Sequence, residues 1–109
     1  MNTDEEVDRI RAIYPDAVPL GEGGITLVHL PGLVIATRDG PVMRDALLCP
    51  YEHSGYKTRL FLDAIVPGPL ANWTEHTLIT RKWFTWSWNN IVPDQAWTSI
   101  LANHLAAFR

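Results

Sequence analysis

The chain has 109 residues, 47% hydrophobic and 19% charged, with 9 Lys and Arg against 12 Asp and Glu for a formal net charge of −3. That is the profile of one folded domain spanning residues 1–109, and it excludes a disordered chain or a strongly basic nucleic-acid binder. A single cysteine, Cys49, rules out an intramolecular disulfide and a cysteine-rich zinc site.

Thr3 to Tyr14 is expected to be a helix. Thr3 can cap it, with Glu6 three residues on to close a capping box. Asp4 and Glu5 fall in the first turn, and Val7, Ile10 and Tyr14 recur at helical spacing before Pro15 ends the run. The acidic, polar N-terminus is no secretory signal, and no apolar run approaches the ~20 residues of a membrane span. A cytoplasmic location is the expectation.

Asp16 to Gly24 reads as a loop. Four strands are expected next: Ile25–Leu30, Leu33–Thr37, Ala46–Tyr51 (starting as early as Val42) and Thr58–Val66. Pro31-Gly32 reads as a turn between the first two, and the short links favour an antiparallel meander. Pro67-Gly68-Pro69 stops the sheet.

Leu70 to Val92 shows no clean period, although Thr77–Thr80 and Trp83–Trp88 suit short extended pieces. A long connection in a small domain tends to be functional. It holds Trp73, Trp83, Trp86 and Trp88 among Thr and Ser, which suits either a surface ledge or a core. Pro93 fits the first position of a closing helix, with Asp94 and Gln95 in its first turn. Trp97, Ile100, Leu101, His104, Leu105 and Phe108 form one apolar stripe along it. The fold class is therefore α+β: helix, four-stranded antiparallel meander, long irregular segment, helix.

Chemistry is sparse. The four histidines make no H-x-x-x-H pair, so no metal site and no cofactor is expected. Candidate nucleophiles are Cys49 and the hydroxyls of Thr77, Thr80 and Ser87. A small hydrolase pairing Cys49 with His53 is one reading. A pure interaction domain presenting Trp83, Trp86 and Trp88 is another.

The order of elements, with Trp83-Phe84-Thr85-Trp86-Ser87 ahead of a leucine-rich last helix, resembles the ubiquitin-conjugating fold. It is similar to a bacterial branch, prokaryotic family E, which carries a W-x-x-W-S signature. Where the family commonly has His-Pro-Asn after the fourth strand, this chain has Val66-Pro67-Gly68. Trp88 and Asn89 stand where a basic residue and a histidine often follow the serine. The resemblance implies a bacterial ubiquitin-like modification pathway, with a ubiquitin-like modifier and an activating-enzyme-like protein as partners. It assigns partner recruitment to Asp4–Tyr14, with Val7, Ile10 and Arg11 as contacts. No cysteine lies between Pro50 and Arg109, where the family carries its thioester. Three options follow: a non-catalytic positioning role, an oxyester on Thr77, Thr80 or Ser87, or a strand register that brings Cys49 to the site. An oxyester would need oxyanion donors such as Asn72, Asn89 or Asn90.

Overall fold

The structure, a computed structural model, describes residues 2–68, 70–88 and 91–109. Helix α1 (Thr3–Ile13) is followed by β1 (Val18–Glu22), β2 (Ile25–Thr37), β3 (Gly40–Cys49) and β4 (Arg59–Leu62). The hairpin β5 (Thr74–Leu78) and β6 (Arg81–Thr85) comes next, then α2 (Trp97–Ala106). The strands form one antiparallel sheet in the order β1-β2-β3-β4-β6-β5. The class is α+β, with six strands among the described residues rather than four.

The meander is real, but its members differ from the expected ones. Pro31-Gly32 is not a turn. It is a bulge inside β2, where the register on β3 slips between Leu30 and Leu33. Gly32 sits at φ 62, which a glycine adopts without strain, and its N–H donates to Asp45 Oδ1 at 2.9 Å. The slip keeps Val28 and Leu30 before it, and Leu33 and Ile35 after it, in the same core. The expected loop before Gly24 is instead β1, joined to β2 through Gly23-Gly24, both at positive φ. β4 is shorter than expected: Asp63 N–H still donates to Asp45 O, but past it Arg44 donates to the carbonyls of Ala64 and Ile65 in place of strand pairing.

Both helices lie on one face. Val7 and Ile10 of α1 join Trp97, Ile100, Leu101 and Phe108 of α2 or its end, over Val28, Ile35, Leu48, Leu60 and Leu62 of the sheet. The closing stripe is thus buried as its spacing demands. The helix begins at Trp97, though, not at Pro93. Ala96 supplies no side-chain cap, and Glu6 of α1 does so instead, its Oε2 accepting from Trp97 N at 3.1 Å. Asn2, not Thr3, caps α1 through Glu5 N.

The other face has its own core of Leu27, Leu47, Cys49, Phe61 and Trp83. β1 and β5 are opposite edges of the sheet, yet the Glu22 carboxylate of β1 accepts from Ile79 N in the β5–β6 turn. The twisted sheet therefore curls over its helix-free side and brings its two ends together. This curl closes the second core without any further layer.

Candidate functional site

The W-x-x-W-S stretch straddles both cores. Side chains alternate along β6, so Trp83 turns into the curled face and Trp86 toward the helices. Trp83 is 1% exposed, donates Nε1–H to Leu78 O at 2.9 Å, and carries the Arg81 guanidinium over its ring. Trp86 is 2% exposed and packs on Phe108, Trp73 and His104. Neither indole is offered to a partner, which corrects the surface-ledge reading for both. Trp88 alone of the three is exposed. Val7 and Ile10 are likewise buried; Arg11 is exposed but spends its Nε on Ala17 O at 2.8 Å.

β6 meets β4 through one ladder pair, Leu62 with Phe84, among the described residues. The buried Thr85 hydroxyl supplements that thin seam by donating to Leu60 O at 2.8 Å. Past it, Ser87 reaches the surface on the curled face, and the phenol of Tyr56 donates to its Oγ at 2.9 Å.

Tyr56 belongs to a small turn in the β3–β4 connection. His53 and Tyr56 exchange backbone hydrogen bonds across Ser54-Gly55, both at positive φ. This turn places the Tyr56 ring over the Arg59 guanidinium, whose Cζ lies 4.0 Å from the ring centroid. Arg59 Nη1 lies 3.1 Å from His76 Nε2, and Thr74 Oγ1 is 2.9 Å from the same nitrogen. A guanidinium can only donate, so Nε2 carries the lone pair and the ring proton sits on Nδ1. Burial, then the Arg59 charge, pushes the His76 pKa below its ordinary value. His53 stacks edge-on against His76 and Phe61, and its pKa is lowered by burial, then by His76 and Arg59. Thr74, His76, Arg59, Tyr56 and Ser87 thus form one connected polar network.

The other candidates fall elsewhere. Cys49 is fully buried beneath this network, and its thiol donates to Tyr51 O at 3.4 Å. Burial raises its pKa, opposite to what a nucleophilic thiol needs. It makes no bond to His53, so the Cys49–His53 hydrolase has no geometric basis. Thr77 is exposed opposite Lys82, on the face of β5 turned away from His76. Thr80 is exposed at the hairpin tip. The hydroxyl that reaches His76 is Thr74. Asn72 is exposed with φ 58, while Asn89 and Asn90 lie outside the described residues.

Arg59, Tyr56, His53 and His76 were not legible as a group. The Ser54-Gly55 turn was visible, but nothing in the sequence shows that its tyrosine would land beside Ser87.

A cleft of about 460 Å³ lies between α1 and the start of α2, lined by Thr3, Glu6, Tyr51 and Trp97 among others. Among the described residues no three of His, Cys, Asp and Glu are grouped to hold a metal ion. No described helix is long and apolar enough to cross a membrane. Comparison with family models, with curated proteins and with solved structures finds no match to this chain.

Proposed function

We propose that the chain is a ubiquitin-conjugating-like component of a bacterial ubiquitin-like modification pathway that works without a thioester. It would receive or position a modifier together with an activating-enzyme-like partner. Support comes from the element order, in which a helix and a meander precede the W-x-x-W-S stretch and the closing helix. The observation that carries the thiol-free form is Cys49, which is fully buried with its thiol bonded to a backbone carbonyl. Ser87 is the remaining signature group at the surface, with Tyr56 donating to its oxygen. That bond leaves the hydroxyl proton free to be given up to a base, as acyl transfer to Ser87 would require.

The direct test mixes the protein with a candidate modifier, an activating-enzyme-like protein and ATP. Co-elution or an added mass is expected. Neither one, across the candidates, would remove the proposal. A second reading, a non-catalytic interaction domain, draws on Trp88 and Val92, both about 40% exposed. Trp88→Ala would then abolish co-elution while leaving the fold intact.

A further inference from the structure

Arg59 is 4% exposed, and among the described residues no carboxylate lies within ion-pair distance of it. A buried cation without a counter-charge is strongly disfavoured unless something else supplies the negative charge. The contrast with Arg81 is informative. That guanidinium also stacks on an aromatic ring, Trp83 at 4.4 Å, but it is 43% exposed and still has Asp45 at 3.6 Å. Arg59 is deeper, and its partners among the described residues are neutral: the Tyr56 ring, His76 Nε2, and the fully buried Cys49 across the strand pair.

The geometry is directional. Nη1 is taken by His76, whereas Nε–H has no acceptor and is closed to solvent, so an anion reaches it only where the side chains over it move aside. Nε–H and the Nη2–H beside it form the side of the fork that holds two oxygens of one anion. Hydroxyls belong to the same network: exposed Thr74 lies at His76 Nε2, and exposed Ser87 accepts from the half-buried Tyr56 and keeps its own proton to donate. His53 adds a second unpartnered buried ring nitrogen, Nδ1. Every polar group in this patch is neutral or positive, and several are donors.

We infer that Arg59, with Thr74, Tyr56 and Ser87, forms a binding site for an oxyanion, a carboxylate or a phosphate group, on the curled face of the sheet. The site stands on the unpaired guanidinium and does not depend on the conjugating-like reading.

The experiment compares thermal unfolding of the whole protein in phosphate, in acetate and in chloride at equal ionic strength and pH. Phosphate or acetate should raise the Tm above chloride, by about 5 °C at ten times its Kd. Whichever anion acts identifies the ligand class. The rise should vanish in Arg59→Met and shrink in Ser87→Ala. Arg59→Met in chloride should itself unfold no lower than the parent, because it removes an unpaired buried charge. Equal Tm in all three salts, or an undiminished rise in Arg59→Met, would overturn the proposal. If Arg59→Met does not fold, the Arg59 Nε–H resonance of the unaltered protein decides. A saturable shift with phosphate or acetate supports the site, and an unmoved resonance ends it.

Discussion

Glu6 of α1 and Trp97 of α2, ninety-one residues apart, are joined by a 3.1 Å hydrogen bond from the Trp97 N–H to the Glu6 carboxylate. Ala96 gives α2 no cap of its own, so the first helix terminates the second. A charged acceptor at a helix N-terminus is favoured by both the open N–H groups and the macrodipole. Glu6→Ala should therefore destabilise by about 2 kcal/mol in denaturant unfolding, and Glu6→Gln by roughly half as much. A loss within error for both would show that the contact does not hold α2.

His104 is 2% exposed, with Nε2 on the Thr58 hydroxyl and Nδ1 unpartnered. Burial lowers its pKa to about 4 from the ordinary 6.5. The unfolded chain thus binds a proton that the folded one refuses between those values. Stability is full above about pH 6.5 and falls as the pH drops toward 4. The loss amounts to about 3 kcal/mol from this group. His53 and His76, also lowered, act in the same direction. His104→Gln should flatten most of that slope; an unchanged slope would assign it elsewhere.

The β5–β6 turn places Ile79 and Thr80 at φ 48 and 60, a conformation that costs β-branched residues about 1 kcal/mol each. The β1–β2 turn meets the same demand with Gly23 and Gly24. Thr80 is exposed, so Thr80→Gly should raise stability by about 1 kcal/mol. Ile79 is a poorer test because it packs on the Trp83 core. Thr80→Gly should also leave modifier binding and any adduct unchanged.

Trp83 and Trp86 each centre a different core, so either one to alanine should cost about 4 kcal/mol. Trp88→Ala should change stability by less than about 0.5 kcal/mol. Urea midpoints of the three variants check this directly.

The period-3.6 stripe from Trp97 to Phe108 was fully legible because burial on one helix face leaves a pattern in sequence. The β2 bulge was not. Pro31-Gly32 satisfies the rules for a turn, and only the pairing of Leu33–Thr37 with β3 shows that the strand runs on. The second core was illegible for a related reason. Trp83 suits a ledge and a core equally until the Glu22 contact to Ile79 reveals that the sheet ends meet. Of the candidate nucleophiles, the chain order placed Ser87 near the signature. Its partner Tyr56 comes from the β3–β4 turn, thirty-one residues earlier, and no local pattern predicts that approach.

The thiol-free account is tested most directly by intact mass on the Cys49→Ser variant, incubated with modifier, activating-enzyme-like protein and ATP. Co-elution, or an adduct that resists neutral hydroxylamine but yields to alkali and disappears in Ser87→Ala, is the predicted result. An adduct on the unaltered protein that neutral hydroxylamine releases, and that Cys49→Ser abolishes, would contradict it.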